Sequence, residues 1–136
     1  MNPWDPWDPW NYFNSVSLYE TFINFVSWDM KVIFRSRKAL KIYATKHSQS
    51  RSSLTNWLKK LQHADWNIPK DIKSTFNNAD ILGQGSNRVI FNIGGNKYRM
   101  ICRYCFNDEH TYLYVKWIGT HLEYGKLCKS GKQYTI

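Results

Sequence analysis

The sequence is poor in cysteine, has no long apolar run and lacks any basic residue near its start. Three cysteines among 136 residues are an odd number and too few for the disulfide framework of a small secreted domain. No segment approaches the roughly 18 consecutive apolar residues of a membrane span. Because the first 29 residues contain no Lys or Arg, the positively charged start of a secretory signal is also missing. We therefore expect a cytoplasmic protein with no membrane segment.

Acidic residues are scarce in the rest of the chain. Residues 30–136 contain all nineteen Lys and Arg but six Asp and Glu, which gives a net charge of +13. Such a positive field attracts polyanions: nucleic acid first, then an acidic protein, then an anionic membrane surface. No Asp or Glu occurs between Asn87 and Asn107 or from Thr111 to Gly119. Because two-metal nucleases hold their ions with clustered carboxylates, phosphodiester cleavage by these segments is expected to need neither a metal nor another cofactor.

The first 29 residues differ in composition from the remainder. They repeat the unit Trp-Asp-Pro, and three prolines within the first nine residues exclude a helix there. One interpretation is an aromatic, acidic arm that binds the basic body of the same chain. The other, which we favour, is an over-long reading frame whose natural start is Met30. The predicted organisation is an N-terminal extension over residues 1–29 and one folded domain over residues 30–136.

Hydrophobic periodicity predicts seven elements in this domain. A β-rich run at 30–34 precedes two stretches of helical spacing, 37–46 and 53–64, the first with Ser36 as its N-cap. After an irregular connection over 65–85, three β-rich runs at 87–93, 97–106 and 111–118 are separated by turns, and Thr120 is placed to cap a last helix through residue 126. The predicted fold is α+β: an N-terminal strand and helical hairpin, followed by a three-stranded antiparallel meander and a short C-terminal helix. The helices are expected to pack on one face of the sheet.

Period-two alternation divides the last two predicted strands into an apolar and a polar face. The apolar set, expected under the helices, is Tyr98, Met100, Cys102, Leu113, Val115 and Trp117. The opposite set is Lys97, Arg99, Ile101, Arg103, Tyr112, Tyr114 and Lys116. A surface that mixes cations with aromatic rings suits RNA, because cations contact phosphates and rings stack on exposed bases. A solvated sheet face with ordinary surface lysines fits the same pattern equally well.

The sequence gives little indication of a metal site or of a catalytic histidine. Cys102 and Cys105 lie three residues apart on a predicted strand and so point to opposite faces, which argues against a shared metal ion. His121 directly follows the third strand of the meander, near Tyr124 at the edge of the basic face. A single histidine in such a place is more often structural than catalytic. We predict no metal site and leave both roles open for His121.

Two long motifs resemble those of a known family. They are Arg88-Val-Ile-Phe-Asn-Ile-Gly-Gly-Asn-Lys-Tyr-Arg99 and Tyr114-Val-Lys-Trp-Ile-Gly-Thr-His-Leu-Glu-Tyr124. In content and separation they are similar to the HigB-type toxins of bacterial toxin–antitoxin pairs, which belong to the RelE superfamily. The resemblance covers residues 30–128. The chain departs from the family pattern at Lys116, where Arg with its planar fork is common, and at Gly125, where Asp is usual.

The resemblance implies a RelE-like fold and an endoribonuclease that cleaves mRNA on translating ribosomes, leaving 2′,3′-cyclic phosphate and 5′-hydroxyl ends. In that chemistry Arg99 is expected to stabilise the pentacoordinate phosphorane, and His121 is the candidate acid or base. Tyr124 would stack on a base or donate its hydroxyl proton. The RNA-binding residues implied beside them are Lys97, Arg103, Tyr114 and Lys116.

The resemblance also implies partners. Besides mRNA and the ribosome, we expect a HigA-type antitoxin with a helix-turn-helix domain. Two alternatives remain open for the activity. A ParE-type toxin shares the superfamily fold but inhibits DNA gyrase by binding, and a plain RNA-binding module needs no catalytic residue.

Overall fold

The structure, a computed structural model, describes residues 31–136. The interpretations placed on residues 1–29, as arm or over-long reading frame, lie outside the described residues, as does Met30. Within the described part, no helix is long and apolar enough to cross a membrane.

Residues 31–136 form a single mixed sheet with helices. The strands are β1 (Val32–Phe34), β2 (Asp80–Ile81), β3 (Arg88–Ile93), β4 (Tyr98–Phe106) and β5 (Thr111–Thr120). The helices are α1 (Arg37–Lys46), α2 (Arg51–Leu61), α3 (Ile72–Thr75) and α4 (His121–Lys129), with short 3-10 turns at Ser48–Ser50, Pro69–Asp71 and Lys132–Tyr134. The predicted α+β class and the order of strand, helical hairpin, meander and last helix are confirmed. The connection over 65–85 is less irregular than predicted, because it contains α3 and β2.

The meander forms the centre of a five-stranded sheet within the described residues. The strand order is β1-β5-β4-β3-β2, and β3, β4 and β5 pair antiparallel as predicted. At one edge β1 runs parallel to β5, with Val32 opposite Thr111 and Phe34 opposite Leu113. At the other edge β2 pairs antiparallel with β3. The helical hairpin therefore connects two edges of one sheet and lies across it.

The main core lies between this hairpin and one sheet face, here called the inner face. Its helical side chains include Leu40, Ala44, Leu54, Leu58 and Leu61, all fully buried. At its centre the Trp57 ring contacts Phe34, Phe76 and Phe91 with ring centroids 5.5, 5.5 and 5.2 Å away. Burying one such side chain stabilises the fold by roughly 1.5–3 kcal/mol. The hairpin is therefore firmly packed against the inner face of the sheet. The opposite face, here called the outer face, carries Arg88, Arg99 and Arg103.

Ser36 has a different role from the predicted one. Helix α1 begins where expected, since the Ser36 carbonyl accepts a hydrogen bond from the Leu40 amide at 3.3 Å. The Ser36 hydroxyl makes no cap but accepts a hydrogen bond from the Val115 amide at 2.8 Å. Because β1 ends at Phe34, the β5 amide beyond it has no strand partner on that side. Ser36 is thus the N-cap residue as predicted, but its hydroxyl does not cap the helix and instead extends the attachment of β1 to β5.

A β-bulge in β5 changes which face its last residues occupy. Ile101 and Cys102 are consecutive on β4, yet they pair with Trp117 and Val115, so Lys116 is an extra residue. After the bulge Ile118 turns inward and packs against the main core. Trp117 consequently lies on the outer face, opposite Ile101. The prediction that Trp117 lies under the helical hairpin is wrong, because one inserted residue reverses the period-two alternation.

The outer face is partly covered, contrary to the expectation that all helices lie on one side. Helix α4 contacts β4 and β5. Ile90 and Ile101 are 3% and 0% exposed although they are separate from the main core. Beyond α4, the Arg88 guanidinium donates through Nε and Nη2 to the main-chain oxygen of Ile136 at 3.2 and 2.9 Å. The C-terminal helix and tail therefore form a second layer over the face that alternation predicted to be open.

Candidate functional site

The start of α4 is held by a capping box. The Thr120 hydroxyl accepts a hydrogen bond from the Glu123 amide at 3.2 Å, and the Glu123 carboxylate accepts one from the Thr120 amide at 2.8 Å. These hydrogen bonds lower the pKa of Glu123. The His121 amide also donates to the Lys97 carbonyl at 3.0 Å, which ties the helix to the turn between β3 and β4. In the Thr-His-x-Glu-Tyr motif, Thr120 and Glu123 therefore hold the start of the helix, whereas the side chains of His121 and Tyr124 take no part in the capping box.

The capping box of Thr120 and Glu123 holds the start of α4 without a contribution from position 125. Gly125 is an exposed residue inside the helix, and a Cβ built there meets nothing within 4 Å. We expect Gly125→Ala to raise the free energy of unfolding by about 0.5–1 kcal/mol, because glycine is a poor helix former. Urea unfolding followed by circular dichroism measures this. Gly94→Ala is the control of opposite sign, since φ at Gly94 is +64°; a loss of stability in Gly125→Ala would contradict the prediction.

Arg99 is the most enclosed cation of the outer face. It is 8% exposed, and its cross-strand partners are Asn92 on β3 and Gly119 on β5. Its Nη1 donates to the Tyr98 carbonyl at 3.1 Å and its Nη2 to Oδ1 of Asn96 at 3.2 Å. Both acceptors are neutral oxygens, so they orient the guanidinium without neutralising its charge. A positive charge in so dry a place acts more strongly on a bound anion than one in water.

Tyr124 lies on the side of α4 that faces this arginine. Burial raises the pKa of Tyr124 above its ordinary value, and a hydrogen bond with Cys128 and the charge of Asp80 act in the same direction. The positive charge of Arg99 opposes them, which reflects the proximity of the two groups. The phenol therefore stays protonated through neutral pH. It can donate a hydrogen bond or a proton, but it cannot serve as a base there.

The structure brings four of the seven predicted site residues to one end of the sheet. Lys97 and His121 are exposed at the junction of the β3–β4 turn with α4, beside Arg99 and Tyr124. The other three lie further along the outer face. The Arg103 guanidinium sits 5.4 Å from the centroid of the Tyr114 ring, and Tyr114 is half-buried. Lys116 is exposed at the bulge. On β4, Arg103 is roughly 13 Å from Arg99, at about 3.3 Å per residue.

Sequence reasoning missed Asn96 and Trp117 at this site. Asn96 follows Gly94 and Gly95 in a turn where both glycines have positive φ, and its side chain orients Arg99. Position 96 falls within a motif that the sequence analysis singled out, so a signal existed. For Trp117 no local signal existed, because the bulge that exposes it depends on the pairing of two strands.

The metal chemistry of the described residues is limited. No group of three or more His, Cys, Asp or Glu side chains in residues 31–136 is close enough to hold a metal ion. Cys102 is buried and Cys105 is exposed, as expected for residues on opposite faces of a strand.

Comparison with known proteins now identifies the family. A family model described as "HigB_toxin, RelE-like toxic component of a toxin-antitoxin system" matches residues 50–127. The chain belongs to the HigB toxin family. The match extends from α2 into α4 and includes Arg99, His121 and Tyr124. It confirms the resemblance predicted from the two motifs.

Individual HigB relatives support the same assignment. The "mRNA interferase toxin HigB" of Escherichia coli (strain K12) is 27% identical over 89 residues, which cover 65% of this chain and 84% of that protein. Proteins described as "mRNA interferase HigB" from Escherichia coli O157:H7 and Shigella flexneri match to the same extent. This chain therefore spans most of the length of these HigB relatives.

Proposed function

We propose that this chain is the toxin of a toxin–antitoxin pair and acts as an endoribonuclease on mRNA. The observation that carries the proposal is the enclosed guanidinium of Arg99, oriented by Asn96 at the same end of the sheet as Tyr124 and His121, inside the segment that matches the HigB family. The HigB relatives are named mRNA interferases, which agrees with an RNA substrate. A site made of a cation, an imidazole and a protonated phenol is suited to cleaving RNA without a metal.

The proposed reaction is an internal transfer within the RNA chain. The 2′-oxygen forms a bond to phosphorus while the bond from phosphorus to the 5′-oxygen breaks, giving a 2′,3′-cyclic phosphate and a 5′-hydroxyl. One proton leaves the 2′-hydroxyl and one is delivered to the departing 5′-oxygen. Arg99 stabilises the charge that develops on the phosphorane. His121 accepts the 2′ proton, and Tyr124 donates its hydroxyl proton to the leaving 5′-oxygen; the phenolate then regains a proton from solvent before the next turnover.

The remainder of the outer face provides the proposed path for flanking RNA. Arg103 lies against Tyr114, and Arg35 lies 5.0 Å from the centroid of the Tyr112 ring, so cations and aromatic rings alternate across the sheet. Lys97 and Lys116 are exposed nearby and are proposed to contact phosphates. Cations with stackable rings bind single-stranded RNA with little dependence on base sequence. The net charge of +13 on residues 30–136 also suits docking to ribosomal RNA, and we propose translating ribosomes as the place of cleavage.

A free ribonuclease of this kind requires an antidote. The family description names a toxin–antitoxin system, and we propose a HigA-type partner with a helix-turn-helix domain. We expect it to cover part of the basic outer face, because RNA access is then blocked directly.

Mapping of RNA ends tests the proposed function. The full chain is added to mRNA in a cell-free translation reaction and, separately, to the same mRNA without ribosomes, with and without the antitoxin. New 5′-hydroxyl ends that disappear with antitoxin are the expected result, and their presence in one or both reactions decides ribosome dependence. Inhibition of gyrase supercoiling without new ends would instead establish a ParE-like inhibitor. RNA binding with neither effect would leave a plain RNA-binding module.

A further inference from the structure

The Trp117 side chain occupies an unexpected place on the outer face. The bulge at Lys116 turns it away from the main core, and its cross-strand partner is the fully buried Ile101. Its ring reaches over Gly119, because a Cβ built on Gly119 lies 2.6 Å from two ring carbons. A side chain at position 119 would thus displace the ring. The sheet accommodates a large aromatic ring here by having no side chain beneath it.

Trp117 is also adjacent to the proposed catalytic groups. Gly119, which the ring covers, is the cross-strand partner of Arg99. The centroid of the Tyr124 ring lies 6.1 Å from that of Trp117, with the two planes tilted by 47°. The tryptophan is only partly buried, so α4 does not cover it completely. An indole ring that remains accessible to solvent therefore lies next to the guanidinium that is proposed to hold the scissile phosphate.

We propose that Trp117, supported by Gly119, is a stacking site for one nucleobase next to the scissile phosphate. The inference deepens the proposed function and rests on it for the position of the phosphate. RNA bases on either side of a phosphate lie within reach of an aromatic ring beside that phosphate, and every base has a flat face on which indole can stack. Stacking splays the bound nucleotide, so that its 2′-oxygen can attack phosphorus in line with the leaving 5′-oxygen. Trp117 thereby selects single-stranded over paired RNA.

An abasic-substitution cycle tests the stacking site. The probe is a short fluorescent single-stranded RNA that carries a 2′-deoxy sugar at the mapped cleavage position, so that it binds without being cut. Its affinity for the full chain is measured by anisotropy, with normal bases and with an abasic nucleotide on either side of the scissile phosphate. We expect Trp117→Leu to weaken binding of the normal RNA roughly 5- to 150-fold. Trp117→Phe keeps a stacking ring and is expected to retain most of the affinity.

The abasic probes separate stacking from a structural effect. If Trp117 stacks on a base, one abasic probe binds the wild-type chain more weakly than the normal RNA does. The Trp117→Leu substitution then does not weaken the binding of that abasic probe any further. If the ring only supports α4, Trp117→Leu weakens all probes by the same factor, and the proposal is wrong. Gly119→Ala is the second variant; because its Cβ would displace the ring and would also lie 3.2 Å from the Glu123 carboxylate, it is the base dependence of binding, and not the overall affinity, that is expected to reproduce the Trp117→Leu pattern. If new RNA ends appear but no abasic probe binds more weakly than the normal RNA, the stacking site is wrong and the proposed function stands. If neither new RNA ends nor RNA binding is found, the proposed function is wrong.

Discussion

Arg99→Ala is expected to lower the single-turnover rate of RNA cleavage by roughly 100- to 1000-fold, the typical loss when one preorganised donor to a transition-state oxyanion is removed. The guanidinium is 8% exposed and is oriented by Tyr98 and Asn96, so it needs little rearrangement as charge develops on phosphorus. RNA affinity is expected to fall much less, because the ground-state phosphate carries less charge at that position. Rates at saturating RNA, with affinity measured separately, give the two effects.

Lys116→Ala is the matched control on the same face. Lys116 is exposed at the bulge, and a phosphate contact there acts alike on bound RNA and on the transition state. We expect Lys116→Ala to bind RNA more weakly but to cleave it at an unchanged rate when RNA is saturating. The dependence of its RNA affinity on salt is expected to be shallower by about one phosphate contact. Arg99→Lys restores the charge without the planar fork and is expected to recover part of the rate. If Arg99→Ala behaved like Lys116→Ala, Arg99 would be a binding residue and not a catalytic one.

Local patterns were sufficient for the parts of the molecule that local interactions determine. The capping box of Thr120 and Glu123 joins residues three apart, and α4 begins at the predicted position. The glycine-rich turn at Gly94 and Gly95 needs positive φ at both positions, which glycine adopts without strain. The strands on either side of this turn, β3 and β4, show the same period-two alternation, which predicts that they pair. In these regions the nearest neighbours in sequence are also the ones that decide the structure.

The rest depended on contacts between distant segments. Period-two alternation predicts that Arg99 points away from the main core, which is confirmed, but it predicts neither the burial of Arg99 nor the packing of α4 against β4 and β5. Ser36 is the N-cap residue of α1 as predicted, yet its hydroxyl accepts a hydrogen bond from an amide 79 residues away on β5. Trp117 was assigned to the wrong face because the bulge at Lys116 exists only in the pairing of β4 with β5. Each of these features depends on packing between segments far apart in sequence, which local patterns do not contain.

His121→Gln is expected to change how cleavage depends on pH, whereas Tyr124→Phe is not. Imidazole is the side chain that ordinarily changes protonation between pH 5 and 8, so a histidine base makes the rate rise through that range. We expect His121→Gln to lower the maximal rate by roughly 100-fold or more and to flatten this rise. The raised pKa of Tyr124 keeps its phenol protonated throughout the same range. Tyr124→Phe therefore removes a donor that never titrates there, lowering the rate by a constant factor.

Single-turnover cleavage of bound RNA from pH 5 to 9 distinguishes the two roles, with folding of each variant checked by thermal unfolding. His121 begins α4 at an exposed position, held by its main chain to Lys97, so its side chain can be replaced without disturbing the helix start. A wild-type profile in His121→Gln, together with a flattened one in Tyr124→Phe, would reverse the assignment. The phenol would then have to lose its proton near neutral pH. That result would require bound RNA to overcome the effects of burial, Cys128 and Asp80 on the Tyr124 phenol, with Arg99 as the group that stabilises its anion.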